Sequence, residues 1–243
     1  MTAVLLGLFI LLSYTIEAMT GFGSIVIALS LGAMFLPIDT LLPILVPLNL
    51  GLSGFLVITQ RRHIQWPMLL KVIAPLMVAG TVLGTWLRPA IGNQELATLL
   101  ALVVASFGAR ELWKAHKQRP EKPHGRTLNQ LLIGGAGITH GLFASGGPLL
   151  VFALAGGQLN KAQLRATLLC VWFSLNLLLT LIFAWQGKLQ AALPDILLYT
   201  PMVLGGLFIG DYLHHRVAEQ QFRQWVYGVL TVIGIMLLIR ASL

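Results

Sequence analysis

The chain carries a second version of itself, 126 positions further on. The stretch Ala74-Pro75-Leu76-Met77-Val78-Ala79-Gly80-Thr81-Val82-Leu83-Gly84-Thr85-Trp86-Leu87 reads like Thr200-Pro201-Met202-Val203-Leu204-Gly205-Gly206-Leu207-Phe208-Ile209-Gly210-Asp211-Tyr212-Leu213. Pro75 corresponds to Pro201, Gly80 to Gly206, Gly84 to Gly210 and Leu87 to Leu213. The same offset pairs Gly21 with Gly147, Gln94 with Gln220 and Gly108 with Gly234. One offset held over this distance means two similar units joined in one chain. In a membrane protein, two such units suggest a transporter with its site between them.

The membrane assignment rests on composition. The chain is 57% hydrophobic and 10% charged, against roughly 25% charged in a soluble domain. Several apolar runs reach the ~20 residues needed to cross a ~30 Å hydrocarbon core. The net charge of +8 therefore points to loops facing an anionic leaflet rather than to nucleic acid. Cys170 is the lone cysteine and lies in an apolar run, so no disulfide framework exists within the chain. The N-terminal run lacks a basic leader region and continues into Glu17 and Gly21. It reads as part of the mature protein.

Ten apolar segments can be marked, five per repeat. They run near 3–19, 22–36, 41–59, 68–87 and 96–113, then 128–144, 147–158, 166–185, 194–213 and 222–241. The second and seventh are short and begin at glycine clusters, so half-helices or re-entrant pieces are expected there. The expected fold is an all-α integral membrane protein. It has two inverted repeats of four to five transmembrane or half helices, eight to ten segments in all, around a central site. The repeats span 1–113 and 128–243, joined by a basic linker at 114–127. With ten segments, 13 of the 16 Lys and Arg residues fall on one side, leaving Arg88, Lys188 and Arg240 opposite. That side is cytoplasmic by the positive-inside rule, which puts both termini outside. An odd number of crossings per half inverts the second half, as alternating access requires.

Enzyme chemistry finds no foothold. There is no His-Glu-x-x-His, no Gly-x-Ser-x-Gly and no Gly-x-x-x-x-Gly-Lys phosphate loop. No cofactor or metal site is expected. His63, His116, His124, His214 and His215 fall in or beside expected cytoplasmic loops, whereas His140 lies within an apolar segment. Asp211 is expected to form a local surface pair with Arg216.

Two glycine-centred stretches align under the repeat. One is Glu17-Ala18-Met19-Thr20-Gly21-Phe22-Gly23-Ser24, the other His140-Gly141-Leu142-Phe143-Ala144-Ser145-Gly146-Gly147-Pro148. Glycine permits tight turns and uncovers backbone amides. Pro148 suits the first turn of a new helix. Free amides and a positive dipole end hold an anion without a cationic side chain, and Thr20, Ser24 and Ser145 add hydroxyl donors. Close packing of small residues is the competing explanation. Asn49 and Asn176 lie one position apart under the repeat, each in the segment after a break. They suit either a shared cavity or an interhelical hydrogen bond. Glu17 lies inside a long apolar run. A carboxyl group there favours its neutral form and can carry a proton, unless a shifted first segment brings it to the surface. Glu17 and His140 are the candidates for proton coupling. The candidate substrate-binding set is Thr20, Gly21, Gly23, Ser24, Asn49, Ser145, Gly146, Gly147 and Asn176.

These residues carry a resemblance to the sulfite exporter TauE/SafE family, also called the toluene-sulfonate uptake permease family. The first half has Thr20-Gly21-Phe22-Gly23-Ser24, then Leu36-Pro37, Pro43 and Pro47. The second has Gly141-Leu142-Phe143-Ala144-Ser145-Gly146-Gly147-Pro148-Leu149-Leu150, then Leu159-Asn160-Lys161, Arg165-Ala166-Thr167-Leu168, Phe173, Asn176 and Leu177. The resemblance covers nearly the whole chain. Many members have a Gly-Gly-Gly-like run in both halves, and Gly21-Phe22-Gly23-Ser24 departs from it, so the two half-sites are expected to be unequal. The resemblance implies a multi-pass inner-membrane permease. Its substrates would be small sulfur-containing anions such as sulfite, a sulfonate or a related organic anion, moved as a secondary carrier. An anion channel on the same repeats is the alternative. The expected partners are the small anion and the lipid bilayer, with no nucleic acid. Small residues such as Gly205-Gly206 fit packing within one chain or contact in a homodimer.

Overall fold

Helix is the structure that a single chain segment can carry through lipid, because it satisfies every backbone hydrogen bond internally. The computed structural model describes residues 2–21, 23–117, 125–154, 157, 159–214 and 219–241, and among them there is no strand. The first half contains α1 (Thr2–Thr20), α2 (Ser24–Gly32) and α3 (Ile38–Gln60). Next comes α4, which runs as Trp66–Met68, a π-helical turn at Leu69–Ile73, and Ala74–Leu87, and then α5 (Asn93–Lys117). The second half contains α6 (Arg126–Phe143), α7 (Gly147–Leu154), α8 (Lys161–Trp185), α9 (Lys188–His214) and α10 (Glu219–Ala241). Each marked apolar segment coincides with one of these helices. Both breaks are followed by a short helix, nine residues in α2 and eight in α7. The π turn precedes Pro75, whose missing N–H removes a bond from the α-helical ladder. Most of the expected linker, 118–124, lies outside the described residues, and so does Arg216, the expected partner of Asp211.

Among the described residues, six helices are long and apolar enough to cross a membrane: Thr2–Met19, Ile38–His63, Trp66–Ala90, Asn93–Lys114, Ala162–Trp185 and Lys188–Leu213. Their burial sorts them into layers. The α3 and α8 spans are each 61% buried, against 33% for α4 and 22% for α9. So α3 and α8 form the centre, while α4 and α9 turn broad faces outward. Leu197, Phe208, Leu83 and Val82 are exposed on those faces, as lipid contact demands. Trp66, Trp86, Trp113 and Trp185 are exposed near helix ends, where aromatic side chains favour the membrane–water interface.

Packing runs between the halves. Helix α1 lies along α9, α6 along α4, α3 on α8 and α5 on α10. Glycine makes the first two contacts close. A Cβ on Gly80 would strike the backbone of Gly134, and one on Gly84 the backbone of Ile138. Gly206 and Gly210 meet Leu11, Tyr14, Thr15 and Ala18 in the same way. Lipid supplies no hydrophobic force between helices, so close van der Waals approach at small residues takes its place. At the end of this layer the buried Arg88 pairs with Asp39 and lies 5.7 Å over the Phe183 ring. It ties the ends of α4, α3 and α8.

Gly84→Val will drive a branched side chain into the α6 backbone and cost about 1–3 kcal/mol, read as a lowered thermal midpoint in detergent. Gly134→Ala, where a Cβ meets nothing within 4 Å, will leave the midpoint unchanged or slightly raised.

Candidate functional site

Two helix breaks meet at the central pair α3 and α8. In the first, Gly21 has φ +84° and Gly23 φ +108°, left-handed values that favour glycine. The Gly21 N–H donates to the Glu17 carbonyl at 2.7 Å, ending α1. The chain then restarts as α2 at Ser24. The Ser24 amide donates to Glu17 Oε2 at 3.0 Å, so the carboxyl group folds back onto the positive end of the new helix. In the second break Ala144 takes φ +50°, and its N–H donates to the His140 carbonyl at 2.6 Å. Helix α7 then begins at Gly147, with Pro148 next.

A buried hydrogen-bond chain connects the breaks. Asn49 Nδ2 donates to Glu17 Oε1 and to Ser24 Oγ, each at 2.9 Å. Asn176 Nδ2 donates to Asn49 Oδ1 at 2.7 Å. Glu17, Asn49 and Asn176 expose 2% or less of their surface, and His140 none. Beside this chain is a cavity of about 30 Å³, lined by Glu17, Gly23, Asn49, His140, Ala144, Ser145, Gly146, Gly147, Trp172 and Asn176, with Ile25 and Val26. His140 stacks on Trp172, ring centroids 5.9 Å apart and planes 13° from parallel. Asn176 stands next to His140, but neither imidazole nitrogen completes a hydrogen bond with a protein group, and nor does the Trp172 indole N–H. A larger groove of 380 Å³, lined by Phe35, Pro37, Asn93, Gln94 and Leu237 among others, contains no ionisable side chain.

Most of the residues singled out from the sequence thus converge. Glu17, Gly23, Asn49, His140, Ser145, Gly146, Gly147 and Asn176 line the cavity, and Ser24 joins through Asn49. Gly21 instead faces Arg165, whose Nη2 donates to the Ala18 carbonyl at 2.8 Å. The side chain of Thr20 lies outside the described residues. Gly146 also serves packing, because a Cβ there would strike the Ala136 backbone. Both readings of the asparagines hold together, since their mutual bond is interhelical and borders the cavity. Trp172 escaped the sequence reading. Nothing distinguishes an indole in an apolar run from a core side chain. Tyr14 escaped it too, although it stands 126 positions before His140. It is fully buried on the corresponding helix, and its hydroxyl donates to the Leu45 carbonyl at 3.0 Å.

The model of the sulfite exporter TauE/SafE family matches residues 5–237, almost the full chain. The chain belongs to this family. A relative is the probable sulfite/organosulfonate exporter TauE of Cupriavidus necator, 26% identical over 231 residues, covering 93% of this chain and 89% of the relative. No solved structure matches the chain. The protein is therefore a multi-pass membrane transporter and not an enzyme. Among the described residues, no group of three or more His, Cys, Asp or Glu could hold a metal ion.

Asn49→Leu will strand Glu17 Oε1, Ser24 Oγ and Asn176 Nδ2 in a buried site. Each stranded group costs about 1–3 kcal/mol, and more for a charged one. Thermal unfolding in detergent should show a large loss for this variant and almost none for Thr59→Val at the exposed end of α3.

Proposed function

We propose that the chain is a secondary carrier, built of two inverted repeats, that moves a small sulfur-containing oxyanion across a cell's inner membrane by alternating access. The observation that carries this reading is the small pocket between the breaks, where the unpartnered Trp172 N–H and the His140 ring, beside the Asn176 amide, adjoin the start of α7. Such donors suit oxygens of an anion. The family and the relative's name suggest sulfite or an organosulfonate, moved outward. The pairing of α1 with α9 and α6 with α4 is what a twofold exchange of the halves would produce.

The cavity's size fits a carrier better than a channel. At about 30 Å³ it holds roughly two waters, whereas a sulfur with three oxygens has four heavy atoms. Loading the site requires α3 and α8 to part, and an open pore would already wet its walls. Glu17 supplies the coupling. An anion held beside its carboxylate would place two negative charges in a low-dielectric site, an arrangement opposed by Coulomb repulsion of about 4 kcal/mol at 4 Å separation and an effective dielectric near 20. Taking up a proton removes that opposition, so one proton travels with each anion and apparent anion affinity rises as pH falls.

The test is flux of labelled sulfite and methanesulfonate in proteoliposomes, with proton movement followed by a trapped pH indicator. Saturable anion flux accompanied by proton flux is expected. In Glu17→Gln, proton flux and accumulation driven by a pH gradient should disappear. Anion flux that does not saturate and carries single-channel currents would overturn the carrier reading in favour of a channel.

A further inference from the structure

The two breaks are equivalent in position but not in occupancy. In the first, the protein's own carboxyl group, that of Glu17, already caps the Ser24 amide at the start of α2. The position corresponding to Glu17 in the second half is Phe143, a buried phenyl ring that carries no charge to the start of α7. There the cavity presents two buried nitrogen-bearing rings: the Trp172 N–H completes no hydrogen bond to protein, and His140 has only the Asn176 amide beside it, whose Oδ1 is also without a donor. The indole N–H can only donate, so its missing partner is an acceptor. The cavity lining contains one carboxyl group and neither Lys nor Arg. Arg165 approaches the first break, engages the Ala18 carbonyl and does not line the cavity.

From this asymmetry, and resting on the anion-carrier reading above, we propose that the substrate's charged head binds in the second half alone. There it is held by the Trp172 indole N–H, His140 and the Gly147 amide at the start of α7, in a site that selects singly charged oxyanions over doubly charged ones. Glu17 caps the first half-site with the protein's own carboxyl group and leaves that half-site filled. Neutral donors and a helix dipole can balance about one negative charge. A second charge on the ligand would meet no cation in the cavity lining. A sulfonate or a hydrogen-bearing sulfur oxyanion satisfies these conditions, and sulfate does not.

Isothermal titration of the full chain in detergent, at one pH and constant ionic strength, distinguishes the outcomes. Methanesulfonate should bind at least about tenfold more tightly than sulfate. Trp172→Phe keeps an aromatic ring against His140 while removing the N–H and one of the two fused rings. It should weaken methanesulfonate binding by about tenfold or more, the usual consequence of losing a hydrogen bond to a charged group. Its thermal midpoint should fall modestly, as for any smaller buried side chain, with the variant still folded, and Trp66→Phe, at the exposed start of α4, should bind normally. Equal or tighter binding of sulfate would overturn the charge selection while leaving the carrier reading in place. Unchanged methanesulfonate affinity in Trp172→Phe would overturn the placement of the head. Binding of neither anion by the unchanged, folded protein would remove the anion-site reading and this inference with it.

Discussion

Asn49 answers to three partners at once. Its amide nitrogen serves Glu17 from α1 and Ser24 from α2, and its oxygen receives Asn176 from α8. A buried carboxyl group is costly unless its oxygens are satisfied, and here Asn49 and the Ser24 amide satisfy one oxygen each. The position of the first break, the depth of Glu17 and the contact between α3 and α8 all depend on this one side chain. Around it, the α1–α9 and α4–α6 contacts are made close by glycines such as Gly206 and Gly80, and each adds a bond to a backbone carbonyl, from Tyr199 to Ala3 and from Thr81 to Gly137.

Unlike residues occupy corresponding positions in the two halves, and this difference gives the site its chemistry. Tyr14 and His140 occupy matching places. Tyr14 is satisfied by the Leu45 carbonyl, whereas His140 is left with open nitrogens. Glu17 and Phe143 also correspond, and only the former brings a charge. Of the two helix breaks, one is capped by the protein's own carboxyl group and the other has a phenyl ring at the corresponding position.

Much of this arrangement was legible in the sequence. The offset between Gly21 and Gly147 located both breaks, and the near-match of Asn49 with Asn176 placed two amides in one region. In the structure the two amides bond to each other directly. Local rules suffice for such features, because a turn needs glycine whatever surrounds it, and an amide in lipid needs a partner. Other features were not legible. The return of Glu17 onto the Ser24 amide depends on the left-handed turn at Gly21 and Gly23, which sequence permits without dictating. Trp172 acquires its role only from its neighbours His140 and Gly146, contributed by another stretch of chain. The burial of Arg88 against Asp39 and Phe183 joins three segments far apart in sequence, and no periodicity announces it.

The cavity walls have a consequence for the membrane itself. Glu17, Asn49, His140 and Asn176 expose almost no surface, so no water column reaches them in this conformation. Water columns are what let protons and small ions leak across a bilayer, and here the column is interrupted at its centre by a bonded network. A carrier closed in this way would conduct no ions between turnovers, so a membrane that stores energy as ion gradients could hold many copies of it without discharging.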